Sequence, residues 1–400
     1  MHRPSRRAVA GIAATLSVAV AGCGSSSTTS SSATTAAAPT TGSPTSAVSL
    51  KGVCPSTIVT QTDWDPEADH SELYQLALGP NGTIDTSKKT YTAEMMVKGQ
   101  DTGVKIQVRV GGPAIGYNNV DAQMYTDSSI LLGYVSTDAA IRDSSGQPTV
   151  ALVAPRQHSP LMFMWDPSKY PQLSTVASIG QSNAKVLVES GQAYTDYLVG
   201  KGILKAGQLD TAYNSTPTQF VASGGADVQQ GFATAEPYIY AHELPQWDKP
   251  LKYALISSTG YDPYAEALAT LPANVTKYAA CFKKLIPDIQ QAQVDYAENP
   301  GPADALIVKL VSAYNNGWVY DANVAAYSAK TQVADGIIAN GSDGVMGSQD
   351  ASRISNLITQ LTPIDTKAGK APKAGLSASD LFTNQFIDTS IKLPAGTTGS

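Results

Sequence analysis

Short apolar or β-branched runs, each followed by a turn, a polar cap and a helix-spaced stretch, recur along most of this chain. Residues 57–60 form the first run; Gln61-Thr62-Asp63-Trp64 then turns into Asp65-Pro66-Glu67, a capping acid with proline at the first helical position. That start predicts a helix over residues 66–78, stopped by Gly79-Pro80. Residues 104–110 alternate Val, Ile and polar side chains as a strand does, and end at Gly111-Gly112-Pro113. A short helix over 120–125 leads to a strand at 130–135, and Ser136-Thr137-Asp138 caps a helix over 139–142. Residues 149–154 are a further apolar strand. This rhythm predicts an α/β fold with a largely parallel sheet.

Beyond residue 154 the pattern restarts as if on a second sheet. Residues 185–188 read as a strand, Ser190 as a cap, 191–199 as a helix and Gly200 as its stop. A strand at 210–213, a helix near 218–223, the run 230–234 leading to Glu236-Pro237, and a strand at 252–256 follow. After about residue 259 the chain is mainly helical, with apolar spacing at Leu306, Leu310 and Ala313 and again at Ile354, Leu357 and Leu361. Residues 366–375 read as a surface loop. Two α/β lobes are expected, one from residues 51–152 with 253–400 and its C-terminal helices, the other from 153–252. Ligands of open α/β sheets sit outside the carboxyl ends of strands, which in two lobes can share a central cleft.

The first 50 residues follow another logic. Arg3, Arg6 and Arg7 precede a mostly apolar run over 8–21, and the segment closes on Val20-Ala21-Gly22-Cys23, the layout of a secretory signal over residues 1–22. The run is shorter than the roughly 20 residues of a spanning helix. Ser5-Arg6-Arg7 is also part of a twin-arginine pattern without its bulky pair, so both export routes stay open. Residues 24–49 are almost all Ser, Thr, Ala, Gly and Pro, a composition that cannot offset the entropy of ordering. A tether over 23–50 is expected, with a reach of roughly 28 Å.

A net charge of -6 without clustered Lys or Arg excludes nucleic acid as a partner. Nineteen Tyr against six Phe suits half-wet clefts, since tyrosine joins an apolar face to a hydrogen-bonding tip. Cys54 and Cys281 are the only cysteines besides Cys23, and in an exported chain they are expected to pair. His2, His70, His158 and His242 lie far apart, and His242-Glu243 lacks the second His of a metalloprotease helix. Nucleophile-elbow, phosphate-loop and dinucleotide fingerprints are absent, and Asn340-Gly341-Ser342-Asp343-Gly344 reads as a turn. Neither catalysis nor a cofactor nor a metal is expected.

What remains is a set of strand-end loops: Trp64, Gly111-Gly112, Tyr134 to Thr137, Gly191 to Tyr194, Tyr213 and Glu236-Pro237-Tyr238. Helix starts at Thr137 and Ser190 present N–H groups suited to an anionic group of a ligand.

The segments Gly133-Tyr134-Val135-Ser136-Thr137-Asp138, Tyr194-Thr195-Asp196-Tyr197-Leu198 and Gly231-Phe232-Ala233-Thr234-Ala235-Glu236-Pro237-Tyr238-Ile239-Tyr240 resemble solute-binding proteins of ABC importers. The resemblance is to the nitrate, sulfonate, taurine and thiamine-pyrimidine group, and covers roughly residues 57–264. It implies the two-lobed type II periplasmic-binding fold with a central cleft, a monomer that closes on a small molecule and docks on an ABC permease. By this resemblance Trp64 forms one cleft wall, with Gly112 and Tyr134 beside it. Ser136, Thr137, Gln192 and Tyr194 hydrogen-bond ligand, Tyr213 and Tyr238 line the site, and Glu236 closes it. Glu236 would repel a bare sulfonate or nitrate and accept from an amino or amidine group, so a nitrogen-containing aromatic or cationic ligand is favoured, with sulfonate-type molecules the family's other option. Val20-Ala21-Gly22-Cys23 is likewise similar to a lipobox, which implies a lipid on Cys23 and anchorage to the outer face of the bacterial cell membrane. A binding or sensor lipoprotein without transport is the alternative. A pyrimidine-synthesising enzyme of this fold would carry a Cys-rich motif that this chain lacks.

Overall fold

The computed structural model describes residues 48–399, so the expected signal peptide, lipid-bearing Cys23 and most of the tether lie outside the described residues. The tether expected to reach residue 50 ends sooner: Leu50 is fully buried and its amide donates to the Thr102 carbonyl at 2.8 Å.

Among the described residues twelve strands form two sheets. The first contains β1 (Thr57–Gln61), β2 (Thr83–Asp85), β3 (Thr90–Val97), β4 (Gln100–Arg109), β5 (Leu132–Tyr134) and β6 (Val150–Val153). The second contains β7 (Leu161–Trp165), β8 (Val186–Leu187), β9 (Leu209–Asp210), β10 (Val228–Phe232) and β11 (Lys252–Leu255). The chain then returns to the first sheet as β12 (Leu268–Thr270), giving the orders β2-β3-β4-β1-β5-β12-β6 and β11-β7-β10-β8-β9. Two segments, 154–160 and 256–267, therefore connect the sheets. Both sheets are mixed where a largely parallel one was expected. Parallel pairing is confined to β4-β1-β5 and β10-β8-β9, and the flanking strands β2, β3, β6, β7, β11 and β12 run antiparallel to their neighbours.

Burial explains the strand types. β4 alternates exposed and buried positions, with one face on the core, whereas Met162, Phe163, Met164 and Trp165 of β7 are all buried, as a strand covered on both faces requires. The helix Ala279–Glu298 buries Phe282, Leu285, Ile286 and Ile289 and packs on the helix Ser71–Leu76. Cys54 and Cys281 are disulfide-bonded across a separation of 227 residues, which ties the start of the packed body to that long helix. Replacing both by serine is expected to lower stability by about 2–4 kcal/mol in denaturant unfolding. An unchanged midpoint would show that the bond carries no stability.

Two expected helices start elsewhere. The run over 66–78 is a turn of 3-10 helix, Ala68–His70, followed by Ser71–Leu76, and the Asp65 carboxylate accepts from Asn316 Nδ2 where it was expected to cap. Ser190 caps nothing, and the helix after β8 is Ala193–Gly200 with Gln192 at its N-cap. The helix Ala351–Lys367 lies against both Ala193–Gly200 and Thr137–Arg142, elements that follow strands of different sheets. Arg142 fastens this junction, donating through Nε to Asp365 Oδ1 at 2.8 Å and through Nη1 to the Gly191 carbonyl at 2.9 Å. Among the described residues no helix is long and apolar enough to cross a membrane.

Candidate functional site

The carboxyl ends of β4, β1 and β5 lie side by side because these strands are parallel neighbours, and so do those of β10, β8 and β9. Turns leaving the first set carry Trp64, Gly112, Ser136 and Thr137; turns leaving the second carry Gln192, Tyr194, Tyr213, Glu236 and Tyr238. The two rows meet. Thr234 Oγ1 donates to Asp69 Oδ2 at 2.8 Å, and beside it Tyr327, on the helix Ala322–Ala334, donates to the Ala233 carbonyl at 3.1 Å.

Beneath the meeting line lies a buried charge network. Arg156, on the first connecting segment, is 1% exposed and is shared between Glu266 on the second connection and Glu72 on the helix after β1. Its Nη1 lies 2.7 Å from Glu266 Oε2, its Nη2 3.5 Å from Glu72 Oε2, and its Nε donates to Gln332 Oε1 at 3.1 Å. Burial opposes the Arg156 charge, but Glu266 and Glu72 outweigh it and hold the guanidinium more firmly protonated than usual. Tyr134 belongs to this floor: its hydroxyl donates to Glu72 Oε1 and its ring stacks on His70 at 5.0 Å. His70 Nε2 in turn meets Asp63 Oδ1 at 2.8 Å.

Above the floor the charge is one-sided. Glu67 and Asp69 come from the segment after β1, Glu189 and Glu236 from the turns after β8 and β10. Glu189 accepts from Gln192 Nε2 at 3.0 Å and from the Ser215 hydroxyl, and Glu236 Oε2 accepts from the Phe232 amide at 2.9 Å. Asp69 Oδ1 is buried without a hydrogen-bond partner. Burial, then the carboxylates of Asp69, Glu266, Asp63 and Glu236, push Glu67 well above the usual carboxylate range. Burial raises Asp69 too, against the pull of Arg156. Glu236 is pushed up to about 7, chiefly by burial, with Asp69 and Glu189 adding to it against two backbone N–H groups.

Tyr213 lies near Glu236 and Glu189, and Tyr320 near Asp69 and Glu67. Trp64 lies 6.0 Å from Tyr117 and 6.2 Å edge-on from Trp318. Gly112, at φ 51°, passes so close under the indole that a Cβ would sit 2.7 Å from it, which explains a glycine there. Tyr213 is buried, and Tyr194 donates to Gln230 Oε1. Tyr238 lies 4.6 Å from His242 and 5.5 Å from Tyr327. Thr137 is engaged by the scaffold instead: its amide donates to the Tyr264 carbonyl at 3.1 Å and its Oγ1 accepts from the Tyr264 amide at 3.2 Å. Ser136 is the N-cap of that helix without a side-chain cap bond. The helix starts expected to receive an anion thus lack a free amide at Thr137 and a helix at Ser190.

Sequence reasoning passed over Arg156, Glu266, Glu67, Asp69 and Glu189. Two of them had a local signal: Arg156 follows Leu152-Val153-Ala154-Pro155, and Glu266 stands alone in Tyr264-Ala265-Glu266-Ala267-Leu268. A lone charge in an apolar run marks a buried, paired group.

No family model and no curated protein matches this chain. Solved structures do. The periplasmic aliphatic sulphonate binding protein SsuA from Escherichia coli is 15% identical over 80% of this chain and 90% of its own, with a TM-score of 0.50. The alkanesulfonate-binding protein SsuA from Xanthomonas axonopodis pv. citri, bound to MOPS, is 12% identical over 82% and 99%, with a TM-score of 0.51. The periplasmic nitrate-binding protein NrtA from Synechocystis PCC 6803 is 11% identical over 86% and 91%, at 0.50. The chain therefore has the two-lobed α/β fold of periplasmic binding proteins.

Proposed function

We propose that this chain is an extracytoplasmic solute-binding protein whose lobes, residues 153–252 and the remainder of the packed body, close on a cationic, nitrogen-containing small molecule. It hands that molecule unchanged to an ABC permease, while a lipid on Cys23 and the tether hold it at the outer face of the membrane. The observation that carries the choice of ligand is the meeting of Glu67 and Asp69 with Glu189 and Glu236 at opposed strand ends, over a floor whose one guanidinium is already taken by Glu266 and Glu72. An anion placed there would meet like charge wherever these carboxyls are ionised; an ammonium or amidinium would draw them into the ionised form and meet acceptors, with the Tyr213 ring beside Glu236 and Glu189. The relatives of this fold named for sulfonate and nitrate take anions, so the acids mark a departure in ligand and not in fold.

A thermal-shift screen of amines, aminopyrimidines, alkanesulfonates and nitrate tests this. At one hundred times its dissociation constant a true ligand adds about 2.7 kcal/mol to native stability. Shifts confined to amino or amidino compounds are expected. Shifts confined to sulfonates or nitrate would overturn the ligand assignment.

A further inference from the structure

We infer that the face on which the tether joins the packed body is a seat for an anionic lipid surface, held by Lys51, Lys277, Lys283 and Lys284. The inference rests on the proposed function only for the direction of the tether, which runs from a membrane-anchored Cys23 to this face.

The fold, not the sequence, gathers these four side chains. The described body begins at Val48, and its first turn is fastened twice to the start of the helix Ala279–Glu298. Lys284 Nζ donates to the Ser49 carbonyl at 3.0 Å, and Cys54 is bonded to Cys281 with Cα atoms 4.7 Å apart. Lys51 stands exposed between those two fastenings. Lys283 and Lys284 are exposed on the same helix, just past Cys281. Lys277 ends the preceding helix, Pro272–Lys277, and is exposed with its Nζ over the Tyr278 ring at 4.9 Å. Val53, 38% exposed, adds an apolar tip to the turn.

Charge singles this face out. Residues 1–62 and 267–287 contain no Asp or Glu, although acids outnumber Lys and Arg by 33 to 27 along the chain. The next acid on the helix, Asp288, is buried. Asp101, beside the Thr102 that receives the Leu50 amide, is turned to the Gly103 amide at 2.7 Å, on a hairpin with exposed Lys98 at its turn. Among the described residues the lysines in ion pairs are Lys88, Lys105, Lys185 and Lys373, so the four at the tether stand uncompensated. A chain of net charge -6 has no general attraction for an anionic surface, and any attraction must be local. Each lysine near anionic headgroups strengthens attachment by about fivefold, an effect that fades within roughly 8 Å at physiological salt. The tether, with its reach of roughly 28 Å, keeps the patch close to lipid and raises its effective concentration there. β1 starts at Thr57, just past this turn, and Trp64 follows its far end, so the lipid seat and the candidate solute site share no residue.

The test is co-sedimentation of the full mature chain carrying Cys23→Ser, which cannot be lipidated, with vesicles of phosphatidylglycerol and phosphatidylcholine and with vesicles of phosphatidylcholine alone. Retention on the anionic vesicles only, lost at high salt, is expected. Lys51→Gln, Lys277→Gln and Lys283→Gln together, which spare the Lys284 bond to Ser49, should weaken retention by on the order of a hundredfold with circular dichroism unchanged. Arginine at the same three positions should restore it. Equal retention on both vesicle types, undiminished retention of the glutamine variant, or binding of duplex DNA in preference to vesicles overturns the seat. Salt-washed cells report separately on the anchor: if the Cys23→Ser chain stays on them as the parent does, the lipid on Cys23 fails and the tether no longer directs this face to the membrane.

Discussion

Arg156→Met is expected to destabilise the protein by about 3–5 kcal/mol at pH 8, the usual cost of breaking a buried ion pair from one side. The guanidinium lies where both connecting segments and the helix Ala322–Ala334 converge, touching Glu266, Glu72 and Gln332 at once. Without it two carboxylates, at 4% and 0% exposure, face each other with no cation. Lysine should rescue only part of the loss, because a point charge cannot serve three partners as a planar fork does. The pH dependence has a fixed sign. Burial already holds Glu266 well above the usual range in spite of Arg156, and removing Arg156 raises it further. A raised carboxyl contributes stability that is intact at low pH and lost as pH rises through the raised value. The variant should therefore lose most at pH 8 and least near pH 5, read from denaturant midpoints. Equal midpoints for variant and parent at pH 8 would refute the network.

Glu236→Gln is expected to move two quantities in opposite directions. Burial and neighbouring acids push this carboxyl from its ordinary 4.5 to about 7, so the folded protein binds more protons than the unfolded chain across that window. Ligand-free stability must then fall as pH rises from about 5 to about 8. The amide removes that slope and adds about 1 kcal/mol at pH 8, after allowing for solvent at a half-buried group. Amine affinity should drop by about tenfold to hundredfold, since a charge-assisted hydrogen bond is lost. Asp288, pushed by burial to about 7, and Asp304, to about 6, tilt both proteins alike, so the difference between them isolates Glu236. Loss of both stability and affinity would mean a structural role and would remove Glu236 from the site.

Elements whose burial pattern is local were legible. β4 alternates along its length, and β6 and β11 are short apolar runs at 149–154 and 252–256, so each was placed within a few residues. β12 was missed because three residues carry too little pattern, and its partners β5 and β6 lie more than a hundred residues earlier. β3 was missed although Tyr91, Ala93, Met95 and Val97 alternate with Thr92 and Glu94, and β7 was missed because a Met-rich continuous run has no period. The helix expected over 66–78 is present as Ala68–His70 and Ser71–Leu76 but starts late, and the acid expected to cap it is bonded to Asn316, some 250 residues on.

At the site, Trp64 and Glu236 were visible as motif residues, whereas the acids that give the cleft its charge were not. Glu67, Asp69 and Glu189 are scattered over some 120 positions and join Glu236 in one field only when two sheet edges face each other. The same folding step commits the Thr137 amide, and its hydroxyl oxygen as an acceptor, to Tyr264 on the returning connection. Neither outcome has a local sequence signal.

The most direct test of a cleft built for positive charge is a paired titration at pH 8, putrescine against ethanesulfonate, on the same preparation. Saturable heat with proton release for the amine and none for the sulfonate is the expected result; saturable binding of the sulfonate alone would contradict it.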